Sequence, residues 1–166
     1  MNTNRNRIWC IAGCLAVSGW FSARASLSGE GAAVPQDYRK WTHLSSTVIG
    51  PKSPIFGPEG GIHHIYANDG AVEGLKSGKF RDGSAFVYDL LEIKELEGVT
   101  KESTRRRLDL MIKDGEGGKD TGGWVFRRFM GDNWREDALK PEDRDGCFKC
   151  HARRKSADYV FSVYRN

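Results

Sequence analysis

Apolar and polar positions alternate with a period of two along five stretches of the chain, and that period predicts strands. Leu44 to Ile49 is β-branched and strand-like. Ile62 to Ala67 is a second strand, with Ile62, His64 and Tyr66 on one face and His63 and Ile65 on the other. Ser84 to Ile93 is the clearest strand: Phe86, Tyr88 and Leu90 share one face, and Ala85, Val87 and Leu91 the other. Arg105 to Lys113 sets Leu108, Leu110 and Ile112 on one side. Trp124 to Met130 sends Trp124 and Phe126 one way and Val125, Arg127 and Phe129 the other. Helical signals are short. Pro35 to Trp41 has a proline suited to a first turn and Asp37 at its positive end. Ala71 to Ser77 is a helix capped by Asn68 or Asp69 and ended by Gly78.

The remaining segments read as connections. Gly50 to Gly61 holds three prolines and four glycines, with Ile55-Phe56 as an apolar anchor. Glu95 to Ser103 is charged and loop-like. Asp114 to Gly123 has five glycines. Asp132 to Gly146 is polar and punctuated by Pro141, and Tyr159 to Tyr164 is a short apolar segment. The pattern predicts an α+β domain, mainly an antiparallel β-sheet with short helices.

Composition then divides the chain in two. Met1 to Ala25 reads as a secretory signal: Arg5 and Arg7 precede an apolar run from Ile8 to Phe21, and Ala23-Arg24-Ala25 is a cleavage site. An alternative is a lipid anchor at Cys14, since Ile11-Ala12-Gly13-Cys14 resembles a lipoprotein processing box. Residues 26–166 form one domain. The formal charge of +4 includes Arg5, Arg7 and Arg24. Without them 23 basic residues face 22 acidic ones, so the basic character belongs partly to the leader. Arg105-Arg106-Arg107 and Arg153-Arg154-Lys155 are short clusters that read as solvated faces. The second could also meet an anionic group or an acidic partner. No long basic patch points to nucleic acid.

Cysteine usage changes the picture most. Cys10 and Cys14 leave with the signal, so Cys147 and Cys150 remain, in Cys147-Phe148-Lys149-Cys150-His151. C-x-x-C-H is the attachment pattern of a c-type haem: two thiols take the vinyl groups, and the adjacent imidazole falls over the iron. A structural zinc site needs a second ligand pair; none is present, although His43, His63 and His64 could contribute. A redox dithiol is expected in a βαβ setting, which this is not, and a disulfide across two residues is a small strained loop. Haem c is therefore the expected cofactor, with Cys147 and Cys150 fixing the ring and His151 as proximal ligand. Export agrees, because c-type maturation takes place outside the cytoplasm, and a periplasmic location follows.

Tyr38-Arg39-Lys40-Trp41, Ile62-His63-His64-Ile65-Tyr66, Phe80-Arg81-Asp82-Gly83-Ser84, Val87-Tyr88-Asp89-Leu90 and the late C-x-x-C-H followed by Asp158-Tyr159-Val160-Phe161 together resemble the cytochrome P-460 superfamily. The resemblance implies a mainly antiparallel β fold, a homodimer, and a five-coordinate haem c whose open face lies against the sheet. One branch oxidises hydroxylamine and cross-links a strand lysine to the haem. Tyr88 stands at that position here; Lys79 and Lys94 do not fit it. The chain therefore looks like the β-type cytochrome c′ branch, which lacks the cross-link and binds nitric oxide under a phenylalanine cap. The resemblance makes Phe56 and Phe86 the candidates for that cap. Tyr88 shares the Phe86 face and adds a phenol.

Three functions follow from this reading. The first is a gas-binding cytochrome taking NO or CO. The second is an enzyme oxidising hydroxylamine or reducing nitrogen oxides or peroxide, for which Tyr88, His63 or Arg127 would handle protons. The third is electron transfer, which needs a sixth ligand. Met111 and Met130 read as core packing, and His63 and His64 as structural residues. Arg127 breaks an apolar face and could pair with a haem propionate or a ligand.

Overall fold

The computed structural model describes Ala33–Arg165. The expected leader, with its alternative at Cys14, lies outside the described residues. Five strands form one antiparallel sheet in the order β1-β2-β3-β4-β5. They are β1 Thr42–Ile49, β2 Gly61–Ala67, β3 Ala85–Leu96, β4 Val99–Lys113 and β5 Trp124–Met130. The helices are α1 Phe56–Glu59, α2 Asp69–Ser77 and α3 Pro141–His151. The α+β expectation is met, and each strand neighbours the next one along the chain. Among the described residues no helix is long and apolar enough to cross a membrane.

The period of two produces two cores, one on each face. Ala85, Val87, Leu108, Leu110, Ile112 and Phe129 pack on one side with Tyr38 and Val34. Phe86, Met111, Trp124 and Phe126 pack on the other, with Ala71 of α2, Leu139 and Val160. Register maintains this division: Phe86 pairs with Met111, and Met111 with Phe126. Complete burial of Leu108, Leu110 and Ile112 contributes about 1.5–3 kcal/mol each before conformational entropy is counted.

The first core also buries a charge. Asp89 is wholly inaccessible. It accepts from Tyr38 Oη at 2.7 Å, Arg105 Nε at 2.7 Å and Arg39 Nη2 at 2.9 Å. Burial alone would raise its pKa; donation from Arg105 and Tyr38 and the two guanidinium charges bring it below the usual aspartate range.

Local signals explain α2. Asn68 Oδ1 accepts from Ala71 N, and Gly78 takes a left-handed conformation after the last turn. Four expectations are corrected. Pro35 to Trp41 forms only a 3-10 turn at Tyr38–Lys40, because Trp41 is already extended and leads into β1. Gly50 to Gly61 contains the one-turn α1. Glu95 to Ser103 is no loop: β3 and β4 continue into it as a hairpin closed by Glu97 and Gly98, with φ of 51° and 78°. Positive φ at both central residues matches the twist of the strands. Met130 is half exposed and not core. A fifth difference matters more. Pro141 does not punctuate a loop but opens α3 at its first turn, with Glu142 and Asp143 at the positive end.

Candidate functional site

α3 places the sequence motif on a helix, where residues three and four apart share a face. Cys147, Cys150 and His151 therefore point the same way. All three line a cavity of about 650 Å³ between α3 and the sheet, within the range of roughly 300–1,000 Å³ usual for cofactor and ligand sites. Cys147 is partly buried and Cys150 exposed, and both are free thiols. Burial pushes the Cys147 thiol up, although the Arg128 charge opposes this.

His151 is fixed from behind. Its Nδ1 is 2.7 Å from the Tyr159 carbonyl oxygen. A carbonyl only accepts, so Nδ1 carries the proton and Nε2 keeps its lone pair. Burial lowers the His151 pKa, partly offset by that carbonyl; the ring is held neutral, as a metal ligand must be. Phe126 and Phe161 flank it at 5.1 and 5.2 Å between ring centres. The aiming of the carbonyl has a visible cost. Asp158 and Tyr159 both have positive φ, 49° and 65°, a conformation costing about 1–2 kcal/mol in residues with a Cβ. Lys113 Nζ holds Asp158 at 2.9 Å, and Trp124 Nε1 donates to it at 3.3 Å. The Tyr159 ring lies over Gly122, where a Cβ would meet it at 2.2 Å. Sequence reasoning missed this turn; Asp158 followed by a buried Val160 was its only trace.

The sheet supplies the opposite wall. Ile65, Phe86, Met111 and Phe126 make an apolar portion. Tyr88 and His63 begin a polar portion, stacked at 4.5 Å between ring centres. Tyr88 Oη donates to Glu59 Oε2 at 2.7 Å. Arg107 Nη2 donates to both Glu59 oxygens at 2.7 Å, and its Nε to Asp109 at 2.8 Å. Arg128 closes the row on Asp109 at 2.6 Å. The Tyr88 phenol is pushed far up, first by burial and then by the Glu59 carboxylate. Burial would raise Glu59, but Tyr88 and Arg107 outweigh it and its carboxyl stays below the usual range. Burial lowers His63, and its Nδ1 is buried with no hydrogen-bond partner. A neutral phenol, a carboxylate and a neutral imidazole therefore share this wall.

Of the residues expected from sequence, Cys147, Cys150, His151, Phe86 and Tyr88 come together on the cavity. Phe56 does not: it opens α1, 38 % exposed, with its ring folded over Gly60. Arg127 reaches the cavity margin, but its guanidinium turns to Asp137 at 3.3 Å. Its strand partner is Leu110, of the opposite core, while Arg128 pairs with cavity-lining Asp109. Arg105-Arg106-Arg107 reads as a solvated face in the sequence, yet Arg107 is buried against Glu59 and Asp109; Glu59 and Asp109 had no signal, since the meeting of the three depends on how α1 folds back over β4. Among the described residues Met111 lines the cavity and no lysine does.

An antiparallel sheet facing a helix that presents two thiols and a neutral imidazole defines a haem-protein site. The fixed tautomer of His151, the cavity's size and the apolar portion of the lining all fit a haem. The family model for Cytochrome P460 matches residues 35–162, and the chain belongs to that family, which carries a haem cofactor. Comparison with curated protein sequences gave no significant match.

Proposed function

We propose that the protein is an exported, periplasmic c-type haem protein that binds small neutral diatomic gases, nitric oxide foremost and also carbon monoxide. Cys147 and Cys150 would hold the haem covalently, and His151 Nε2 would bind its iron. When bound, the haem supplies an iron with one open coordination position. The single observation that carries this reading is the lysine-free cavity: the strand position where a cross-linking lysine is expected holds Tyr88, whose hydroxyl is already engaged by Glu59. This supports the β-type cytochrome c′ branch. Phe86 lines the ligand side and excludes water. A homodimer is supported by the exposed Leu96 and Val99 at the β3–β4 tip.

Optical spectra of the ferric and ferrous protein, with and without NO, test the reading. A high-spin five-coordinate iron that binds NO is expected. A low-spin six-coordinate iron overturns it and favours electron transfer, with cavity-lining Met111 as the ligand to examine first.

A second reading is favoured by the Tyr88–Glu59–Arg107 wall and the unpaired His63 Nδ1, which can accept and pass protons. It is oxidation of hydroxylamine, or reduction of a nitrogen oxide or peroxide, at the same iron. Steady-state turnover of hydroxylamine with an electron acceptor would establish it.

A further inference from the structure

The sheet face away from the cavity gathers a second set of reactive side chains, at the β1–β2 edge. In a regular strand residues three apart point to opposite faces. The irregularity between His43 and Ser45 removes that alternation. His43 then stands beside Tyr66, and Ser46 beside His64. His43 Nε2 is 2.9 Å from Ser46 Oγ, and Ser46 Oγ is 2.7 Å from His64 Nδ1. Two imidazole nitrogens converge on one oxygen.

A carboxylate stands on the other side of His64. Its Nε2 makes a close ion contact with Glu102 Oε1 at 2.9 Å. The contact is electrostatic, since the buried Nε2 makes no hydrogen bond. Nδ1 is the nitrogen that faces the shared oxygen. A carboxylate behind an imidazole is the outer support that orients metal-binding histidines and raises their basicity. His64 is 8 % exposed, while His43 and Ser46 are open to solvent. One ligand is thus rigid, and the other can turn toward it.

We propose that His43 Nε2 and His64 Nδ1 form a binding site for a divalent transition ion of the zinc, copper and nickel class, with Glu102 orienting His64 and water completing the shell. Imidazole pairs suit these ions. Nitrogen ligands stand about 2.0–2.1 Å from such an ion, so each ring closes by less than about 1 Å once the ion takes the hydroxyl's place. Among the described residues no three His, Cys, Asp or Glu side chains are gathered around one point, so this is a two-nitrogen site that leaves positions to solvent. Ser46, His64 and Glu102 also stand in the order of nucleophile, base and carboxylate. The second imidazole on the same oxygen is what a metal needs and a nucleophile does not. The site is independent of the haem reading.

Copper(II) titration of the haem-loaded protein, by calorimetry and electron paramagnetic resonance, tests the proposal. One ion per chain is expected, with hyperfine structure from two imidazole nitrogens. His43→Ala, an exposed position where folding is not at stake, weakens binding at least about tenfold. His64→Gln does the same, Glu102→Gln weakens it by about tenfold, and Ser46→Ala leaves it intact or tighter. Copper bound by the His43→Ala protein as by the parent overturns the site. A spectrum with fewer than two nitrogen ligands also overturns it. An unchanged affinity in Glu102→Gln overturns Nδ1 of His64 as the ligand atom.

Discussion

Replacing Tyr88 by phenylalanine separates two jobs that a phenol in a haem cavity can do. In the structure the hydroxyl donates to Glu59 Oε2 at 2.7 Å, and the ring stacks on His63. Phenylalanine keeps the stack and deletes the donor. A hydrogen bond to a charged acceptor contributes about 1.5–3 kcal/mol to stability. Glu59 is 30 % exposed and keeps two bonds from Arg107, which places Tyr88→Phe near the low end, about 1–2 kcal/mol. Urea denaturation of the haem-loaded Tyr88→Phe, Glu59→Gln and double variants measures it. The cycle should return a coupling of about 1 kcal/mol between the two residues. The hydroxyl is committed to Glu59, so NO affinity should change little. A phenol that instead donated to the bound gas would contribute about 1 kcal/mol, or about fivefold in affinity. A Tyr88→Phe protein of parental stability that has lost fivefold or more in NO affinity refutes the argument.

Other expectations concern the supports behind the site. Asp89→Asn leaves the Arg105 guanidinium, only 11 % exposed, with the exposed Asp132 as its remaining charge partner, and should cost about 3 kcal/mol in urea denaturation, the low end for breaking a buried pair. The folded Asp89 pKa is depressed, so its contribution is present above the ordinary aspartate value of about 3.9 and is lost as pH falls through the lower folded value; Asp89→Asn should flatten the stability–pH curve below about pH 4. Asp158→Ala removes the bonds to Lys113 and Trp124 that hold the left-handed turn; it should destabilise by about 1–3 kcal/mol and, in the haem-loaded protein, shift the iron–histidine stretching frequency by releasing the Tyr159 carbonyl. Glu97→Asn places a residue tolerant of positive φ at the hairpin tip and should stabilise by up to about 1 kcal/mol by thermal melting.

The strands, their faces and the cofactor motif were legible because each rests on local chemistry. A period of two along Trp124 to Phe129 sorts side chains whatever lies around them, and C-x-x-C-H carries its own spacing. Legibility failed where a contact depends on a distant segment. Glu59 enters the cavity because Arg106 and Arg107, roughly fifty residues later, draw the α1 loop in through the Gly60, Gly57 and Pro58 carbonyls. Nothing near Glu59 announces that. Arg127 was singled out because it breaks an apolar row, yet that row belongs to the other core. Phe56 looked like a pocket residue by resemblance, but a single turn of helix carries it outward. Charge hid the hairpin at Glu95 to Ser103, since a two-stranded ribbon beyond the sheet has no buried face to impose an apolar pattern.

The strictly sequential strand order has a consequence in time. Each strand's partner is the one made just before it, so the sheet can assemble in chain order, by short-range closures alone. The helix with Cys147 and Cys150 joins last, after both apolar faces are in place. During that interval the cavity has a finished wall and a loose door. The thiols remain on a tail that solvent can reach, and on the haem c reading proposed above docking of α3 with the Tyr159 turn is the step that seals an attached cofactor.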